Sequence, residues 1–297
     1  MKIKSSLLTL AKLALGGIVY FVGFMIGAMI ATGLRLPPPP MPEGISESSA
    51  GLALLLVSPL LVFALSLISR RISGGLIART LILAGFTYVT YTLNTLLEAM
   101  VFVSAYSSLS SSSFTFVSAL ISSLLSSLVI AMLFPPLDKS RDFASAWRTF
   151  FAQKSRGELW WRLLAAAVAF VPVYLLFGFL VNPFTGNYYN DAMFGLRAAG
   201  WAEILPVLFL RSFLFLLVCL PIIVAWQGSA RSLFFRLGTS LFILVGLLYM
   251  LTGYWLPLNV RIPHAIEILL DSLVYAGVLV WLLTKRPSTR RASSMNL

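Results

Sequence analysis

Charge is scarce in this chain, and so are the residues that most often carry chemistry. Charged side chains make up 11% of its 297 residues, against about a quarter in soluble domains. There is one cysteine, Cys219, and one histidine, His264. A lone thiol excludes a disulfide framework within the chain and gives no clue to redox compartment. One histidine and one cysteine cannot build a zinc site of the usual ligand set, nor hold a haem between two histidines. No lysine lies inside an apolar run, so none offers a retinal-type Schiff base. No HExxH, GxGD pair or Walker motif occurs, and any transport is therefore expected to be secondary rather than nucleotide-driven. No metal and no cofactor is expected.

Apolar residues are abundant, at 59% of the chain. They fall into long runs, and the pattern predicts an all-α, polytopic integral membrane protein with a bundle of eight transmembrane helices. The formal net charge of +12 could suggest nucleic acid. The basic residues, however, sit in the short segments between apolar runs, as membrane topology determinants do, and nucleic acid is not expected as a partner.

In chain order, a basic start with Lys2, Lys4 and Lys12 leads into an apolar run to about Leu34. That run is too long for the core of a signal peptide, so an uncleaved first helix is expected. Gly23, Gly27 and Ala31 recur at four-residue spacing on it and predict a close-packing face for another helix. Residues 35–50, with four consecutive prolines, predict an extended loop. The second span is placed at about Gly51 to Ser69, and the third at about Arg79 to Ala105. A serine-rich turn at 107–113 precedes the fourth, about Phe114 to Phe134. Ser118, Ser122 and Ser126 form a second small-residue face there.

Asp138 to Arg156 reads as an amphipathic surface helix, with Phe143, Trp147, Phe150 and Phe151 on one face and basic residues around it. Such a helix suits the headgroup region of an anionic inner leaflet. The fifth span is expected at about Leu159 to Val181, followed by a polar, aromatic loop over 182–200. The sixth, Trp201 to Trp226, carries Arg211 in its middle and prolines at 206 and 221 that could unwind it. The seventh runs from about Leu233 to Trp255, the eighth from about His264 to Thr284, and a basic tail follows. The chain thus divides into a first four-helix half (1–134), an interfacial linker (135–158), a second four-helix half (159–284) and the tail (285–297). A short similarity in pattern, Lys12–Tyr20 with Arg162–Phe170, hints that the halves are duplicates.

With the N-terminus inside, all Lys and Arg residues fall on the cytoplasmic side except Arg35, Arg197, Arg261 and the intramembrane Arg211. This predicts cytoplasmic termini in a bacterial-type cytoplasmic membrane.

An arginine at mid-membrane costs about 2.5–3.5 kcal/mol on insertion scales, so Arg211 must face protein or water. At about 1.5 Å per residue, Asn94, Glu98, Arg211 and Asp271 fall in one layer between the outer interface and the midplane. They are the candidate ligand or ion-pair cluster, Arg211 pairing with Asp271 or Glu98. Glu203, Arg261, His264 and Glu267 form a second candidate cluster on the outer face. The carboxylates outnumber the arginine, which suits a proton-linked or cation-accepting site.

A serine-protease reading fails on depth, because Gly238-Thr-Ser240 lies at the opposite end of the bundle from His264, and Cys219 lies too deep on the inner side to reach His264. The expected function is a secondary transporter or a small-ligand- or lipid-binding membrane protein. In that reading Arg211 meets an anionic group or serves as counter-ion, and Glu98 and Asp271 accept protons or cations. One alternative is a non-catalytic subunit of a larger membrane complex, assembled through the small-residue faces. A second is a lipid- or peptide-modifying enzyme using His264. An ion pair that merely fixes helix register would also account for Arg211.

Overall fold

The computed structural model describes residues 2–38, 41, 45–106, 109–138 and 141–284. Part of the proline-rich loop, residues 107–108 of the serine-rich turn, Lys139 and the basic tail lie outside the described residues. Among the described residues the chain is helical, and its only extended pairings are two isolated bridges, Ile72 with Trp226 and Val103 with Leu196.

Eight helices are long and apolar enough to cross a membrane: Ser6–Gly33, Glu47–Ser69, Leu76–Phe102, Ser112–Leu133, Arg156–Asn190, Trp201–Val224, Ala230–Thr252 and Leu258–Thr284. Large apolar side chains such as Met29, Leu56, Phe213 and Trp281 lie exposed on the outside of the bundle. A soluble protein rarely leaves that much apolar surface open, whereas lipid covers it without cost. The chain is an all-α polytopic membrane protein. Because the number of spans is even, the two ends of the described chain share one side, called here the basic face. It carries Arg70, Arg71, Arg79, Arg141, Arg148 and Arg162 among others.

Helix starts are set by side-chain caps. Ser46, Ser155 and Ser229 each accept the backbone N–H three residues on, at 3.2, 3.3 and 3.2 Å, and each such cap is worth about 1 kcal/mol. Asp142 caps Phe143–Ala152 in the same way. The surface helix is therefore shorter than Asp138 to Arg156, since Arg156 already begins the fifth span. Pro206 and Pro221 do not unwind the sixth span, which is continuous over Trp201–Val224. Each proline removes one N–H, a loss that membrane helices tolerate when neighbouring groups satisfy the freed carbonyl. Instead the irregularity falls elsewhere. The third and seventh spans each contain a π-helical stretch, Tyr88–Leu93 and Ile243–Leu247, and the fifth breaks at Ala169. Pro172, three residues later, cannot coexist with a regular turn at this point. Phe170 N–H donates instead to Ser212 Oγ on the sixth span, 3.2 Å away.

The small-residue faces of the first and fourth spans close on each other. A Cβ added at Gly23 would lie 2.8 Å from Ser122 Cα, and one at Gly27 would lie 2.6 Å from Ser118 Cα. Ala31, Ser118, Ser122 and Ser126 are all fully buried. The serine hydroxyls bond back to their own helix, at 2.9 Å for Ser118 to Phe114 O, which leaves the contact to backbone and methylene surfaces. Close backbone approach of this kind drives helix association in lipid. These faces were candidates for an outside partner; in the fold they are occupied by each other.

One contact in the first four spans has a counterpart in the last four. Lys12 Nζ donates to Leu133 O at 2.9 Å, at the end of the fourth span, and Arg162 Nη1 donates to Leu282 O at 2.6 Å, at the end of the eighth. Each places a cation at a helix C-terminus, where the helix dipole favours it. The connection between the second and third spans pairs with that between the sixth and seventh. Ser73 N–H donates to Ala225 O at 2.8 Å and Gln227 N–H to Arg71 O at 2.6 Å. Gly74 and Gly228 turn these two segments with φ of 119° and 156°, a region costly for residues with a Cβ.

Candidate functional site

A cavity of about 520 Å³ lies between the third, fifth, sixth and eighth spans, with the seventh behind it. It lies in the half of the bundle away from the basic face, as the sequence predicts for the polar layer.

One wall is an ion pair. Arg211 Nη2 donates to Glu98 Oε2 at 2.8 Å, and Tyr174 Oη donates to Glu98 Oε1 at 3.0 Å. The guanidinium stacks near Phe170 and Tyr174, with Cζ 5.5 and 5.2 Å from the ring centroids. The Arg211 side chain is only 3% exposed while that of Glu98 is 30% exposed, so the carboxylate is the more open member of the pair. The pairing compensates the charge of an arginine that could not otherwise remain in the membrane, although its Nε has no partner.

At the outer rim, His264 joins two elements. Its Nδ1 is 2.7 Å from Glu267 Oε2, and its Nε2 is 2.9 Å from Tyr189 Oη. Tyr189 belongs to a segment expected to be loop. The fifth span instead continues as helix to Asn190, through Pro183 and Gly186. Asn and Gly lower helix propensity, but contacts of Gly178 with Glu267 and of Tyr189 with His264 hold this segment to the eighth span. Tyr174, Gly178, Asn182 and Tyr189 recur at helical spacings of four, four and seven, the signal in the sequence for Tyr174 and Tyr189 as site residues.

Deeper still is Asp271, 4% exposed. Its Oδ1 has no hydrogen-bond partner, nor has the Tyr275 hydroxyl one turn on. Tyr275 packs with Phe170 and Phe215, with centroids 5.4 and 5.9 Å away, and these rings close the cavity floor toward the basic face.

The expected clusters are thus regrouped. Glu98, Arg211, Asp271, His264 and Glu267 all line the cavity. Asn94 does not; it is fully buried and its side-chain amide donates to Val89 O at 3.2 Å, inside the π-helical stretch. Asn94 and Glu98 share the α-helix Asn94–Phe102, but the Asn94 amide turns back to the π-helical stretch before it, and Thr95 rather than Asn94 lines the cavity. Glu203 pairs with Arg197 at 2.7 Å, and Arg197 also donates to Met100 O, clamping the loop to the third span. Arg261 Nε donates to Met250 O at 2.7 Å and ties the seventh span to the eighth. Among the described residues no group of three or more His, Cys, Asp or Glu side chains is placed to hold a metal ion.

Fold and site together define a polytopic helical membrane protein with a cavity between its third, fifth, sixth and eighth spans that has a charged wall and mostly apolar surroundings. No family model, no curated protein and no solved structure matches the chain.

Proposed function

We propose that this protein binds a small ligand in this cavity, as a secondary transporter or a ligand-binding membrane protein. The observation that carries the reading is that the intramembrane charges face a cavity of about 520 Å³ rather than only one another. An ion pair needed solely to hold helix register requires no such volume, whereas binding sites are concave, mostly apolar and fitted with a few polar groups. Arg211 acts as counter-ion to Glu98, and Asp271 is the accepting group. The π-helical stretches in the third and seventh spans, and the paired connections near the basic face, provide places where the halves could rock for transport. We further propose that the basic face is cytoplasmic, in a bacterial-type cytoplasmic membrane, from the distribution of Lys and Arg.

The test is native mass spectrometry of protein released from membranes under mild conditions, comparing wild type with Gly178→Trp. A side chain at Gly178 points into open space beside Glu267, whose Oε1 lies 3.5 Å from an added Cβ. A bound small-molecule mass on the wild type that the variant lacks supports the reading; identical spectra overturn it.

A second reading rests on the Tyr189–His264–Glu267 chain, a hydroxyl, imidazole and carboxylate in hydrogen-bonded series. That series suits general acid–base work on a lipid or peptide at the rim. Turnover of nanodisc phospholipid that is lost in His264→Ala, with ligand binding retained, would favour it. The subunit reading draws no support from the small-residue faces, which are occupied within the chain.

A further inference from the structure

We propose that the ligand is a protonated amine carried on an apolar tail, its ammonium head held by Asp271 and Tyr275. This rests on the reading of the cavity as a ligand site and names the chemistry of what fills it. Three carboxylates, Glu98, Glu267 and Asp271, line the cavity against two groups that can be cationic, Arg211 and His264. The lining thus holds one acidic group more than it has cationic partners for, and that spare group suits a donor-rich head. Glu98 is taken by Arg211, and Glu267 by His264. Asp271 forms no ion pair among the described residues, and its buried Oδ1 has no hydrogen-bond partner.

A buried acceptor left unpaired is costly, and such groups in native proteins mark a missing partner. The Tyr275 hydroxyl, one helical turn away, is the second unpartnered polar atom at this floor. An ammonium group supplies several N–H donors around one charge, enough for both oxygens. The faces of Phe170 and Phe215 beside Tyr275 add the aromatic surface that attracts a desolvated cation. An anionic head is less suited, since the Arg211 guanidinium is already paired with Glu98 and flanked by two rings, with only its Nε left unpartnered.

The remaining walls are mostly apolar, with Leu175, Val181 and Ile204 among them and a few neutral polar groups such as Asn182 and Thr185. At the edge stand Phe179 and Trp201, 62% and 53% exposed, with ring centroids 6.2 Å apart. Both rings lie on the surface that lipid covers, so an amphipathic ligand can enter from the bilayer with its tail trailing along these walls.

The experiment measures thermal unfolding of the protein in nanodiscs with octylamine, octanol, octanoate and octyltrimethylammonium. Octylamine is expected to raise the unfolding midpoint saturably, with an apparent affinity at least tenfold tighter than octanol or octanoate. Asp271→Asn should reduce it to that of octanol, and Tyr275→Phe, which keeps the packing, should weaken it severalfold. Equal stabilisation by octanol or octanoate, or an unchanged response in both variants, overturns the amine assignment. Octyltrimethylammonium binding as tightly as octylamine overturns the N–H donation to Asp271 and Tyr275. The cavity reading is judged separately: an alcohol or acid that stabilises wild type but not Gly178→Trp leaves it standing while removing the amine.

Discussion

Arg211 on the sixth span and Glu98 on the third are joined at 2.8 Å, yet the two are unequally enclosed. The arginine is buried beside aromatic rings while the carboxylate is more open. The inequality makes the pair asymmetric to mutation. Glu98→Gln leaves an uncompensated cation in a buried site and should destabilise by about 3–5 kcal/mol. Arg211→Met leaves a half-exposed carboxyl that can take up a proton, and should cost less. The double variant should recover most of the loss, measured as unfolding midpoints of the four proteins in one detergent.

The zipper between the first and fourth spans should be intolerant of size. Gly27→Ala places a methyl against Ser118 backbone, which cannot rotate away. Overpacking of this kind costs about 1–3 kcal/mol. Gly178→Ala meets only a carboxylate oxygen at 3.5 Å and should leave the midpoint unchanged. Equal effects of the two substitutions would contradict the contrast between this closed contact and the open cavity.

His264 holds the outer extension of the fifth span through Tyr189. His264→Ala should raise amide hydrogen exchange over 183–190 while leaving the first and fourth spans unaffected. Tyr189→Phe, which removes only the hydroxyl, should raise it in the same segment. If neither changes exchange there, the helix is held by its packing against the eighth span alone.

Sidedness can be read directly. In a Cys219→Ser background, a cysteine in place of Gln227 should resist a membrane-impermeant thiol reagent in intact cells and react once they are opened. One in place of Asp191, on the opposite side, should react in both. The reverse pattern would invert the proposed topology.

The hydrophobic runs determined the number and order of the spans, because the length needed to cross a bilayer and the exclusion of charge from it leave little freedom. The same logic located Glu98, Arg211, Asp271, His264 and Glu267 away from the basic face, since depth along a helix follows from counting residues. Even the brief similarity around Lys12 and Arg162 carried information, as both cap the last helix of their half.

Which groups meet was settled by the tertiary structure. Asn94 stays out of the site because its amide bonds Val89 O within the π-helical stretch that precedes it, and nothing in Tyr88–Leu93 announces that stretch. Tyr189 joins the site because the fifth span stays helical past Pro183, a choice made by packing against local propensity. The cavity lies where side chains of the third, fifth, sixth and eighth spans leave a gap that none of them shows along its own sequence. Periodicity and length act along one helix and can be counted from its residues. Pairing depends on the phase and separation of neighbouring helices, which small differences in side-chain volume decide only once the bundle is assembled.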